Sequence, residues 1–288
     1  MEKGKDCVDN TLASIYDSSA KSKNGYGMWN DQPANGNAAS AGYAHSKGVV
    51  HFDDEQGFYL IHSVPNYPDD KATGYKLLPT YKFGQSYMCL TLPTEEFEEL
   101  GKDLMTMHVK FYDNEVTDDL ASKLPSLVQA MDSVEDKENL TRKTSLTTVG
   151  GTSFTHYAKG RKAMMALYEE FVSNDLDIDL ACETWQNGAF TNVMPTYCPD
   201  KDHNHTIANV LSVKQGDVEW KETQDHSKWA VSTKGFEMDT GTHAIACIGG
   251  INRQASQEKR GGATMCAENK DLNNALFEGI VDFEDCPE

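Results

Sequence analysis

Apolar residues recur along this chain in two rhythms, and together they divide it into strand-like and helix-like stretches. Residues 48–52 and 57–62 are β-branched and aromatic runs on either side of the polar turn 53–56, which predicts a β-hairpin. Pro65 and Pro68 end it, since proline cannot continue a central strand. Residues 26–29 predict a short strand before the hairpin, and 87–92 another after it. Thr94, ahead of two glutamates, reads as the N-cap of a helix that carries Phe97, Leu100, Leu104 and Met107 on one face. A weaker helical rhythm over 117–131 breaks at Pro125, and the charged, Ser/Thr-rich stretch 132–147 predicts an exposed connection between two halves.

Beyond it, residues 162–174 predict a helix with Met164, Met165, Leu167, Tyr168, Phe171 and Val172 on its core face. Leu176, Ile178, Leu180 and Cys182 alternate with acids, the period-2 signature of a half-buried strand. A polar loop over 199–207 leads to short strands at 208–213, 229–233 and 243–248. Residues 269–283 predict a closing amphipathic helix with Leu272, Leu276, Ile280 and Phe283. Residues 1–44, rich in Asn, Ser, Gly and Ala and holding the turn signal Asn30-Asp31-Gln32-Pro33, read as the tail of something rather than the opening of a fold. Strands and helices mixed throughout predict an α/β or α+β layered protein.

Charge narrows the function. The net charge of −19 argues against a broad basic surface that grips nucleic acid, although in acid the 45 carboxylates would be partly protonated and the nine histidines charged. No run approaches the roughly 20 apolar residues of a membrane span, and the first residues have no apolar core of a signal peptide. Of seven cysteines, Cys198, Cys247, Cys266 and Cys286 crowd towards the C-terminus, which reads as a disulfide framework from an oxidising compartment. The odd cysteine leaves one thiol over. Sequons at Asn139 and Asn204 lie in polar stretches and favour a secretory route.

One tripeptide occurs twice: His45-Ser46-Lys47 before an apolar run, and His226-Ser227-Lys228 before another. Side chains two apart on a strand share a face, so each copy presents an imidazole beside an ammonium. Two such pairs suit a phosphate ester. One imidazole can attack phosphorus and form a covalent intermediate, the other can protonate the leaving oxygen, and the lysines can hold the phosphoryl oxygens. No EF-hand loop, HExxH motif or tight carboxylate cluster calls for a metal or other cofactor. His51, His108, His156, His203, His205 and His243 read as structural, and Arg260 as part of a tight turn first and a DNA contact second.

Residues 43–49, 57–65 and 225–229, with Asn252-Arg253, 260–266 and Asn30-Asp31-Gln32-Pro33, resemble in order the motifs of the deoxyribonuclease II family. That family is similar to the phospholipase D superfamily, which implies an α/β fold of two pseudo-symmetric halves, about 1–140 and 141–288, sharing one active site. The resemblance implies a metal-independent acid endonuclease that leaves 3′-phosphate ends, with DNA as substrate. The lack of an apolar span speaks for no membrane partner, and the sequence leaves open whether the chain forms a homodimer. The resemblance gives His45 and His226 as the catalytic imidazoles and Lys47 and Lys228 as phosphate ligands; we read His45 as nucleophile and His226 as acid, an order that sequence alone does not fix. Asn252, His62 and Ser63 become weaker substrate-binding candidates. The resemblance also implies disulfides Cys198–Cys286 and Cys247–Cys266, and a secreted or lysosomal location. Cys89 would pair within an N-terminal segment that the chain lacks relative to the family, with Cys7 as the alternative partner. Two competing functions remain: a secreted, inactive relative that binds DNA or a host partner, and a lipid phosphodiesterase.

Overall fold

The period-2 runs assemble into two sheets in a computed structural model that describes residues 7–17, 24–76, 82–186, 193–201, 203–233 and 243–286. The chain forms helix α1 (Cys7–Tyr16), strands β1 (Gly25–Asn30), β2 (Lys47–Phe52), β3 (Gln56–His62) and β4 (Tyr87–Pro93), and helix α2 (Glu96–Met107). Strand β5 (Phe111–Glu115) and the short helices α3 (Asp118–Lys123) and α4 (Pro125–Met131) follow. These five strands pair antiparallel in the order β4-β3-β2-β1-β5.

The remaining strands make the second sheet. They are β6 (Thr141–Thr147), β7 (Ser153–Lys159), β8 (Asp179–Glu183), β9 (Ile207–Gln215), β10 (Val218–Lys221), β11 (Trp229–Thr233), β12 (Ile245–Gly249), β13 (Gly262–Glu268) and β14 (Ile280–Phe283). A π-helical turn, Leu167–Val172, runs into α5 (Ser173–Leu176), while α6 (Ala255–Glu258) and α7 (Lys270–Phe277) flank β13. The order is β10-β9-β8-β11-β12-β13-β7-β6, with β14 added on β9, and β8–β9 is the parallel pair. The result is a mixed α/β protein whose sheets are otherwise antiparallel.

Helix α2 joins the sheets because its spacing delivers Phe97, Leu100, Leu104 and Met107 to one face. They pack in one cluster with Trp29, Val50, Phe52 and Tyr59 of the first sheet and Leu146, Ala158 and Met265 of the second. Full burial of each such side chain contributes roughly 1.5–3 kcal/mol. Asp103, on the same helix and fully buried, accepts from Arg142 (2.7 Å), Thr144 (2.7 Å) and His156 (2.8 Å) and so ties α2 to β6 and β7.

Several expectations are corrected. The described parts of 1–44, residues 7–17 and 24–44, are integral: β1 is buried along its whole length between β2 and β5. Val8, Leu12 and Ile15 of α1 cover Tyr26, Met28, Val49 and Leu60 on the outer face of that sheet. Three apolar residues at helical spacing were too few to stand out. Thr94 caps nothing through its side chain; its hydroxyl donates to the Asp53 carbonyl at 2.9 Å. The stretch 132–147 is not all connection, since β6 pairs along its length with β7 and buries Thr144 and Leu146. Its inward polar groups are satisfied by Asp103, which hid it among polar loops.

The helix expected from 162 starts late. Met164 adopts a left-handed conformation (φ 52°) and is 55% exposed, and the Glu170 carboxylate accepts the Ala166 N–H at 3.0 Å at the start of the true turn. β8 is buried on both faces, with Ala181 and Glu183 as deep as Leu180 and Cys182, rather than half-buried. The closing helix ends at Phe277; Gly279 turns the chain, and Ile280 and Phe283 enter the sheet as β14.

Cys198 is bonded to Cys286 and Cys247 to Cys266. Cys7 and Cys89 are exposed free thiols and Cys182 is a buried one. Cys7 lies near enough to Cys89 to add to the effect of burial, which pushes the Cys89 thiol up to about 11. Among the described residues no helix is long and apolar enough to cross a membrane.

Candidate active site

The first His-Ser-Lys is set by the register of β1 on β2. Asn30 pairs with Lys47, so the chain leaving β1 passes directly beside the motif. The Trp29 ring lies so close over Gly48 that any side chain there would collide with it, and its Nε1 donates to Ser46 Oγ at 3.1 Å. Asp31 therefore faces the motif from a buried position. Its Oδ1 is 2.5 Å from Lys47 Nζ, and its Oδ2 is 3.8 Å from both His45 Nε2 and an Arg260 guanidinium nitrogen. Arg260 also donates to the carbonyls of Tyr43 (3.1 Å) and Ala44 (3.2 Å), clamping the backbone just before His45. The other ring nitrogen, His45 Nδ1, is 2.5 Å from the Gly250 carbonyl, and the His45 N–H donates to the Gly261 carbonyl at 2.8 Å.

The second motif precedes β11. The His226 N–H donates to the Gly84 carbonyl at 2.8 Å, and Gly84 has no room for a Cβ, which would stand 2.7 Å from the Asp225 carboxylate. Asp225 is occupied by the Ser227 N–H (2.8 Å) and Trp220 Nε1 (2.9 Å). His226 Nδ1 is 2.8 Å from the Ser63 carbonyl and 3.3 Å from Gln85 Oε1. The Ser63 hydroxyl donates to that same Gln85 oxygen at 2.6 Å and accepts from the Ser86 N–H at 2.9 Å. Lys228 is fully buried, and its Nζ donates to the His226 carbonyl at 2.5 Å.

A carbonyl oxygen only accepts, so each Nδ1 carries the hydrogen and each Nε2 is left with its lone pair. The surroundings keep both rings neutral. Burial, then the charges of Lys47, Arg260 and Lys228, push His45 down to about 3 against the pull of Asp31. Burial, then Lys228, Lys47 and His45, push His226 down to about 2. The two motifs thus feel each other's charge across the sheets. Burial works against ionisation of Asp31, but the charge and hydrogen bond of Lys47, with Arg260, outweigh it and hold the carboxyl below the ordinary range. Burial, then Lys47, depresses Lys228 well below the usual ammonium range.

Of the weaker candidates, Ser63 lies within this framework through its carbonyl and hydroxyl. His62 is buried between Tyr67 and Tyr87; burial, then Lys47, pushes it down to about 3, and its Nδ1 accepts the Val64 N–H at 3.3 Å. Asn252 is buried with its Oδ1 unpartnered, two residues beyond the carbonyl that holds His45. The other histidines have structural partners: His156 on Asp103, His205 on Asp177, His108 on the Gly42 carbonyl, His51 on Ser14, His243 on Glu268, and His203 against Tyr197.

The sequence showed Asp31 within a turn signal and a family motif but gave it no role of its own, and it showed nothing of Gln85 or the carbonyl of Gly250. Among the described residues no group of three or more His, Cys, Asp or Glu is placed to hold a metal ion.

A family model described as Deoxyribonuclease II matches residues 1–286. The chain is 34% identical to Plancitoxin-1 of Acanthaster planci, over 96% of this chain and 75% of that protein. It is 31% identical to Cell-death-related nuclease 7 of Caenorhabditis elegans, over 97% of this chain and 73% of that one. Against Deoxyribonuclease-2-alpha of Mus musculus the identity is 30%, over 91% of this chain and 72% of the mouse protein.

Proposed function

The chain belongs to the deoxyribonuclease II family, a family of DNA hydrolases, and from that premise we propose that it is an acid endonuclease that cuts DNA without a metal through a phosphohistidine and leaves 3′-phosphate ends. The observation that carries this reading is a crossed pair of hydrogen bonds. His45, just ahead of central strand β2 of the first sheet, is held by Gly250 after β12 of the second, and His226, just ahead of central strand β11 of the second, by Ser63 after β3 of the first. This supports one site built from two halves that divide near residue 140, with Nε2 as the working atom on each side.

In the proposed reaction, Nε2 of one imidazole attacks phosphorus while the bond to the 5′-oxygen breaks, and the other imidazole gives that oxygen its proton. The second imidazole then takes a proton from water, the water oxygen attacks phosphorus, and the phosphorus–nitrogen bond breaks to release a 3′-phosphate. Lys47, Lys228 and Arg260, with Asp31 balancing part of their charge, stabilise the phosphoryl oxygens. An arriving phosphate offsets the positive charge that adds to burial in keeping the rings neutral, and so favours a proton on the acid. Acid also lessens the repulsion between DNA and a chain of net charge −19.

Two disulfides, together with exposed asparagines at both sequons, Asn139 and Asn204, fit a glycosylated protein of the secretory pathway or lysosome. The test is nicking of supercoiled plasmid at acid pH in EDTA. The products should block polymerase extension until treated with a 3′-phosphatase, and His45→Ala or His226→Ala should abolish cutting. A folded sample that cuts nothing between about pH 4 and about pH 7, where both free imidazoles are neutral, would refute the reading.

A further inference from the structure

A series of side chains leads outward from His226. The Trp185 ring meets the imidazole edge-to-face with centroids 4.8 Å apart, and the Phe83 ring meets Trp185 in the same manner at 4.7 Å. Lys82 Nζ then stands 5.4 Å from the centre of the Phe83 ring. Trp185 and Phe83 are partly open to solvent and Lys82 is exposed, so the aromatic pair is not core packing. They arrive from different parts of the chain, Phe83 just ahead of β4 and Trp185 just after β8.

Trp185 also has a left-handed backbone, with φ at 53°, in a region that a bulky side chain occupies only at an energetic cost. Gln254 Nε2 donates to its carbonyl at 3.3 Å and helps to hold it there. A strained, half-open tryptophan beside a reacting imidazole, followed by a second ring and a cation, is the alternation that single-stranded nucleic acid favours. Rings stack on bases and cations take phosphates.

We propose that Trp185, Phe83 and Lys82 form a nucleotide track leading out of the site, in which Trp185 stacks on the base next to the scissile phosphate, Phe83 braces it, and Lys82 meets a following phosphate. The proposal rests on the endonuclease reading. It implies that the flanking nucleotide is unstacked from its neighbours, and that recognition tolerates any base because each presents a π-face.

The test uses the full chain at acid pH in EDTA with two single-stranded oligonucleotides of equal length. One carries bases and the other carries tetrahydrofuran abasic residues on the same backbone. The wild type should prefer the base-bearing strand by roughly tenfold or more in kcat/KM. Trp185→Ala should collapse that preference towards one, and Trp185→Phe should keep most of it. Because the preference is a ratio within one preparation, loss of folded protein cancels. Lys82→Ala should flatten the salt dependence by about one phosphate contact. If Trp185→Ala slows both strands and leaves the ratio unchanged, the ring only props His226 and the track is refuted. An unchanged salt slope removes Lys82 from it. Wild type that nicks plasmid but cuts neither strand also refutes the track, whereas wild type that nicks no plasmid under the same conditions defeats the endonuclease reading instead.

Discussion

His226 donates its Nδ1 hydrogen to the backbone carbonyl of Ser63, 2.8 Å away, so the imidazole of the second sheet is oriented by the first. The ring is fixed in the tautomer that leaves Nε2 unprotonated, and the Gln85 oxygen at 3.3 Å reinforces that choice. His226→Asn keeps a donor near the Nδ1 position and deletes Nε2. Plasmid nicking should then fall by at least about 10²-fold, the low end for loss of an acid–base imidazole. Thermal unfolding should move little, because the bond to Ser63 survives. A variant that keeps its activity would show that Nε2 of His226 does no chemistry.

The two imidazoles differ in the charge beside Nε2. His45 has the Asp31 carboxylate at 3.8 Å, whereas among the described residues no carboxylate comes within ion-pair distance of His226. A neighbouring carboxylate favours a proton, which suits the acid, while the nucleophile needs a bare lone pair. The charge pattern therefore predicts His45 as acid and His226 as nucleophile, the reverse of the order read from the sequence. A diester with a p-nitrophenolate leaving group needs little protonation. On it, His45→Ala should give a stoichiometric burst and a phosphorylated His226 detectable by mass spectrometry, and His226→Ala should give none. A burst from His226→Ala with phosphate on His45 would restore the other order.

The sequence disclosed those parts of the fold and site that repeat or alternate. The β2–β3 hairpin was legible because both strands are apolar and a polar turn separates them, and the paired His-Ser-Lys was legible because it recurs. Asp31 was hidden because its role depends on β1 lying against β2, and β1 came from a stretch without strong apolar rhythm. The carbonyls of Ser63 and Gly250 leave no trace in a sequence, since every residue has one. β6 was obscured for a related reason: its inward Thr144 and its neighbour Arg142 are polar, and only the buried Asp103 makes them acceptable in a core. β14 was read as helix because Leu272, Leu276, Ile280 and Phe283 keep a helical interval across the turn at Gly279.

Asp31 should matter equally in acid and at neutrality. Its folded pKa is depressed, so its stabilisation is complete above the ordinary carboxyl range and is lost only as pH falls towards the lower folded value. Asp31→Asn removes the counter-ion from Lys47 and Arg260 in a buried setting, a change that typically costs about 3–5 kcal/mol. Urea unfolding at about pH 5 and about pH 7 should show the same deficit, because Asp31 is ionised in the folded wild type at both. A deficit that vanishes at the lower pH would mean that Asp31 already carries a proton there.

Glu183 should behave in the opposite sense. It is fully buried on β8, its Oε2 has no partner, and burial, then the charges of Asp225 and Glu222, hold its pKa well above the ordinary carboxyl value against the pull of Lys228. The folded protein keeps a proton that the unfolded chain releases above about pH 4.3. Stability therefore falls as pH rises from that point towards the folded pKa, by up to about 1.4 kcal/mol per pH unit. Glu183→Gln stays neutral throughout, so it should match the wild type near about pH 4 and exceed it near about pH 7 in urea unfolding. Parallel pH profiles for the two proteins would mean that Glu183 is ionised in the fold, paired with the ammonium of Lys228.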